Sequence, residues 1–153
     1  MRRGLVFVEL RIHPGLARLV ELGTLSEPAA NLLRGAVRDD RTILIAGAPG
    51  AGKTTLVNCL LTEVPPERRV VTCEEVFEVQ ADLPDMTQMQ TRPAGLDGGG
   101  AITLRDLVRE ALRQRPDRLV GGEVRGPEAP LSKVHCPRQG QDRPPARRVR
   151  PGG

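Results

Sequence analysis

Apolar residues recur at every second position from Val6 through Val8 and Leu10 to Ile12, the period of a half-buried strand, and Pro14 and Gly15 end the run. A short helix around Leu16 to Leu22 follows. Ser26 then stands as an N-cap, and Ala29, Leu32, Leu33, Ala36 and Val37 share one helical stripe that stops near Asp39 and Asp40. Ile43 to Ala46 is a continuous apolar run, which predicts a buried strand, and Leu56, Val57, Leu60 and Leu61 return to helical spacing. Arg69 to Cys73 predicts a further strand that delivers Glu74 and Glu75 to its carboxyl end. Residues 84–100 contain prolines, Gly95 and the run Gly98 to Gly100, so they predict a flexible connection, with Arg92 inside it. Thr103 and Asp106 have the spacing of a capping box. The helix they open sets Leu104, Leu107, Val108, Ala111 and Leu112 on one face and Arg105, Arg109, Arg113 and Arg115 elsewhere, until Pro116 stops it. Asp117 to Arg125 predicts a last short strand, begun by Asp117 and ending in Glu123.

Composition narrows this α/β pattern. No stretch approaches the roughly 18 apolar residues of a membrane span, and Arg2 and Arg3 lead into strand-like alternation instead of a signal peptide, so a cytoplasmic chain is expected. With two phenylalanines and neither tyrosine nor tryptophan, the core must be aliphatic. Cys59, Cys73 and Cys136 show no metal-ligand spacing and read as reduced, mostly buried thiols. The net charge of +4 is unevenly placed: residues 1–125 carry 17 basic and 17 acidic side chains, and residues 126–153 carry 6 against 2. That last stretch also holds six prolines and few apolar residues, too little to offset its ordering entropy, and predicts a disordered basic tail. Lacking aromatic stacking residues and a folded basic face, it gives no ground for specific nucleic-acid binding.

The chemistry concentrates between the predicted strand at Ile43 and the helix at Leu56. Gly47, Ala48, Pro49, Gly50, Ala51, Gly52, Lys53 and Thr54 match G-x-x-x-x-G-K-[ST]. Small residues let the loop turn its amide groups inward, and the following helix adds its positive dipole end, which makes an anion site for a nucleoside triphosphate. Lys53 would reach the β and γ phosphates, the Thr54 hydroxyl would take Mg²⁺, and Thr55 is counted with Gly47 to Thr54 among the nucleotide-binding residues. Glu74 and Glu75 point to opposite faces of their strand, so at most one faces the nucleotide while the other packs or caps. Glu123 is the candidate catalytic carboxylate, placed to orient water or the Mg²⁺ shell. A guanidinium on the Arg105 to Arg115 helix acts as a phosphate clamp only if partner geometry allows it.

The order of segments resembles the type II/type IV secretion and pilus-assembly ATPases, above all the tight-adherence (Flp) pilus branch. The matching pieces are LVELGTLSEPAANLLRGAVRD, GAPGAGKTT, RVVTCEEVFEVQADLP followed by TRP, and LRDLVREALRQRPDRLVGGEVRGPEA, which together cover nearly all of Val6 to Ala129. The resemblance implies a RecA-like P-loop NTPase core that binds ATP and Mg²⁺, with a partial parallel sheet flanked by helices. It implies that Glu74 and Glu75 form the acidic "Asp box", that Glu123 is the Walker B glutamate and a metal-site residue beside Thr54, and that Arg92, Arg105, Arg113 and Arg125 stand near phosphates or neighbouring subunits. It further implies a homo-hexameric ring that works with inner-membrane components at the inner face of the plasma membrane, powering protein export or pilus assembly.

On this basis residues 1–40 are expected to be the remnant of an N-terminal domain with a linker helix, 41–129 an incomplete ATPase core, and 130–153 the disordered tail. The family's N-terminal domain and its histidine box are incomplete here, and PLSKVHCPRQGQDRPPARRVRPGG differs from the family after Ala129, with His135 an exposed tail residue. A later strand that the family sets between the phosphate-loop strand and the Walker B strand is expected to be missing. These departures point to a truncated or frameshifted product, and hence to an alternative function as a nucleotide-binding fragment without turnover. A GTPase is disfavoured because neither Asn31 nor Asn58 begins N-K-x-D, and a small kinase because no lid or acceptor site is legible.

Overall fold

The computed structural model describes residues 15–95, 100–124 and 131–135, with residues 122–124 and 131–135 as backbone course alone. The strand expected at Val6 to Ile12, as well as Arg125 and Cys136, lies outside the described residues. In chain order the elements are α1 (Leu16–Glu21), α2 (Glu27–Arg38), β1 (Ile43–Ala46), α3 (Lys53–Leu61), β2 (Val70–Glu74), β3 (Met86–Gln90), α4 (Leu104–Arg113), β4 (Arg118–Val124) and β5 (Leu131–His135). The strands form one sheet in the order β1-β5-β4-β2-β3, with β4, β2 and β3 mutually parallel and β5 antiparallel to both its neighbours.

Alternation along β2 sorts the helices onto two faces. Val70 packs with Ile45, Val120 and the buried residues of α1, α2 and α3, whereas Val71 and Cys73 pack with Leu119 and with Leu107 and Ala111 of α4. All five β2 residues are therefore buried, as expected of a parallel strand covered on both sides. Cys59 and Cys73 are free, buried thiols, and burial, joined by the Glu74 carboxylate nearby, pushes the Cys73 thiol up to about 11.

Ser26 caps α2 as expected, accepting from the Ala29 N–H, but the buried stripe runs through Ala30, Leu33 and Val37. It is turned about one residue from the expected one, which leaves Leu32 at 74% exposure. The Thr103–Asp106 capping box opens α4, Pro116 follows its end, and the arginines of α4 are exposed.

Four expectations need correction. Among the described residues Ile43–Ala46 stands at the end of the sheet and is not buried throughout: Leu44 and Ala46 are exposed, and β5 is its strand partner. Residues 84–100 are not simply a flexible connection, because Met86–Gln90 form β3, paired in register from Val70↔Met86 to Glu74↔Gln90. Leu131–His135, which composition assigns to the disordered tail, forms β5, because each of its residues finds a partner on β1, β4 or both. The slot between the phosphate-loop strand and β4 is consequently filled by this antiparallel strand instead of missing.

Candidate functional site

β1 ends at Ala46, and the chain turns through residues 47–52 into α3 at the carboxyl end of the sheet. Gly50 and Gly52 hold φ of 76° and 84°, a left-handed backbone that side chains rarely adopt. A Cβ at Gly47 would lie 3.3 Å from the Ala51 Cβ, a tight contact that the loop would have to relax. Gly52 caps α3 without a side chain, so no protein side chain competes for the loop's centre from that position.

Lys53 is buried to 7% exposure, and its ammonium donates to the Gly47 and Ala48 carbonyls at 3.1 and 3.0 Å. Both of these acceptors are neutral carbonyls of the loop itself. Thr54 donates its hydroxyl to Glu78 Oε2 at 2.9 Å. A hydroxyl has one proton and two lone pairs, so Thr54 can keep this bond while offering a lone pair to a cation.

The two adjacent acids separate as the strand alternation requires. Glu74, 2% exposed, lies on the α3 side and accepts from the Thr72 hydroxyl at 2.7 Å and from the Glu78 and Val79 N–H groups at 2.8 Å each. It is the group that packs and caps. Glu75 is exposed, and its carbonyl accepts from Gln90. The loop after β2 is therefore fastened from three sides: Glu74 holds it to β2, Gln88 and Gln90 of β3 donate to Val79 O and Glu75 O, and Asn58 of α3 accepts from the Gln80 N–H. This fastening presents Glu78 to Thr54. Sequence reasoning missed Glu78; the available signal was a third carboxylate three residues beyond Glu75, on the segment that leaves the carboxyl end of β2.

Glu123 is the last-but-one residue of β4, at the same carboxyl edge, beside a bulge between Gly121 and Val124 in the β4–β5 pairing. Arg92 follows β3 at that edge, exposed, and donates to the Gly100 carbonyl at 3.4 Å. Arg113, expected near phosphates or a neighbouring subunit, stands apart from the phosphate loop. It ends α4 on the opposite face of the sheet, exposed and paired with Glu110 at 3.3 Å, because α4 runs back toward the amino end where β4 begins. Asp117 serves the strand start as expected, its carboxylate accepting from the Arg69 N–H at 2.9 Å. Among the described residues no group of three or more histidine, cysteine, aspartate or glutamate side chains could hold a metal alone, and no helix is long and apolar enough to cross a membrane.

A family model described as type II/IV secretion system protein matches residues 8–135. The chain is similar to the Mycobacterium tuberculosis protein Rv3659c, named for conjugal transfer, with 42% identity over 113 residues that cover 74% of this chain and 32% of that one. It is also similar to the type IV secretion system protein PtlH of Bordetella pertussis, 41% identical over 106 residues, 65% of this chain and 30% of that one. Among solved structures, the VirB11 ATPase of the Brucella suis type IV secretion system, crystallised with sulphate, superposes with a TM-score of 0.57 at 32% identity, covering 76% of this chain and 33% of that one. The chain spans about a third of the length of these relatives.

Proposed function

Because this chain belongs to the type II/IV secretion system protein family, with the P-loop NTPase fold, we propose that its phosphate loop binds Mg-ATP and that the whole protein spends ATP hydrolysis on protein export or pilus assembly. The observation that carries this reading is the convergence of Lys53, Thr54 and Glu78 at the carboxyl end of the sheet, with Glu123 on the same edge. The loop amides and Lys53 suit a triphosphate, Lys53 exchanging two backbone carbonyls for phosphate oxygens. Thr54 supplies a hard oxygen for Mg²⁺, and Glu78 supplies a second oxygen donor close by. Bound Mg²⁺ would draw off charge from the phosphates. Glu123 is assigned the task of orienting or deprotonating water, and Glu74 that of holding the Glu78 loop. Glu75 stays a site residue of lesser effect. Arg92 is proposed to approach the nucleotide from the β3 edge. Arg113, on the far face, is proposed to serve a neighbouring subunit. For the whole protein we carry over a homo-hexameric ring, inner-membrane partners and a station at the inner face of the plasma membrane, on family membership alone.

Calorimetry with Mg-ATP tests the reading. Charge-assisted hydrogen bonds contribute on the order of 1.5–3 kcal/mol, so Lys53→Ala should weaken binding by about ten- to a hundredfold. Equal affinity for parent and variant would remove the assignment. Glu123→Gln keeps size and hydrogen bonding, so it should bind as the parent does, and where the parent releases phosphate the variant should release it slower by a factor of about 10².

A further inference from the structure

Among the described residues the phosphate-loop strand is joined to the parallel strands through an antiparallel one. Among the described residues β1 pairs with β5 and with no other strand, from Ile43↔Val134 to Ala46↔Leu131. β5 in turn pairs with β4, from Leu119↔His135 to Val124↔Leu131. Leu131, Lys133 and Val134 have partners on both sides. Leu131 stands between Ala46, the residue before the phosphate loop, and Val124, the residue after Glu123. Neighbouring strands lie about 4.8 Å apart, so this single strand fixes a gap of about 10 Å between the β1 and β4 backbones.

We propose that Leu131–His135 acts as a positioning clip: its backbone ladder ties the phosphate-loop strand to the sheet and sets the spacing between the phosphate loop and Glu123. The clip rests on the nucleotide-site reading for its consequence, and on strand pairing alone for its existence. Successive residues of a strand direct their N–H groups to opposite neighbours, so the two ties can be cut separately. Proline at 133 removes one ladder donor toward one neighbour, and proline at 134 removes one toward the other. Side chains that favour strands leave both ladders intact, so Lys133→Thr and Val134→Ile should behave as the parent.

The test is amide exchange on the full chain without nucleotide, followed by Mg-ATP titration of the same samples. In the parent, amides of residues 43–46 and 131–135 should exchange together, faster than those of 70–74, as one unit that opens before the rest of the sheet. In Lys133→Pro and Val134→Pro, residues 43–46 should exchange about tenfold faster or more, while 70–74 and 86–90 keep their parental protection. ATP affinity should fall in both proline variants and persist in Lys133→Thr and Val134→Ile. Parental protection of 43–46 in the proline variants would overturn the clip. So would an equal loss across 70–74 and 86–90, which would make β5 a support of the whole sheet, and so would slower exchange of 43–46 than of 131–135 in the parent. A parent that shows the exchange pattern but binds no ATP retains the clip and loses the nucleotide reading, so the two fail separately.

Discussion

Glu74 and Glu75 are adjacent carboxylates with opposite fates. Glu74 is surrounded by three donors and Glu75 is exposed. Removing the buried acceptor strands two backbone N–H groups, at a cost of about 1–3 kcal/mol each where water cannot replace it. Glu74→Ala should therefore lower stability by a few kcal/mol in denaturant titration, and Glu75→Ala should stay within about 0.5 kcal/mol of the parent. Equal effects would mean that Glu74 does not hold the Glu78 loop. The strand alternation made one residue of the pair legible as structural, and the turn of the phosphate loop was legible from its glycines, two of which hold a left-handed backbone. For Glu78 the sequence offered only a third carboxylate near the pair, since the fastening of its loop by Glu74, Asn58, Gln88 and Gln90 is what brings it to Thr54.

At the scale of elements, local signals read well and edges read poorly. Ser26 and the Thr103–Asp106 box mark helix starts because their hydrogen bonds are local. β3 was hidden because MTQMQ is an edge strand whose exposed positions are polar, and β5 because proline and charge around it suggest disorder while its pairing is long-range. The capping box also gives a pH dependence. Bonds from the Thr103 hydroxyl and N–H hold the Asp106 carboxyl below its ordinary value of 3.8. A depressed acid stabilises the folded state above its unfolded pKa, and that stability is lost as pH falls through the folded value. Melting followed at pH 7 and pH 3 should show part of the acid loss disappearing in Asp106→Asn. An unchanged acid loss would place its origin elsewhere.

For the whole molecule, the sheet separates its tasks by end. At the amino end, ionic contacts close the base: Arg118, 2% exposed, donates to the Val37 carbonyl and pairs with Asp40, and Arg68 bridges Asp40 and Asp117 at 3.6 and 3.3 Å. These residues join α2 to β2 and β4, and the composition showed only a balanced charge. At the carboxyl end, the phosphate loop, Glu78, Glu123 and Arg92 gather on one edge. α4 covers the opposite face. The central claim, that this edge holds Mg-ATP, is tested most directly by amide exchange of the full chain with and without saturating Mg-ATP. Slowed exchange strongest in residues 47–56 and 75–79, with smaller effects at the carboxyl ends of β3 and β4 and the least in 104–113, is the predicted result; no change in 47–56, or protection centred on α4, would contradict it.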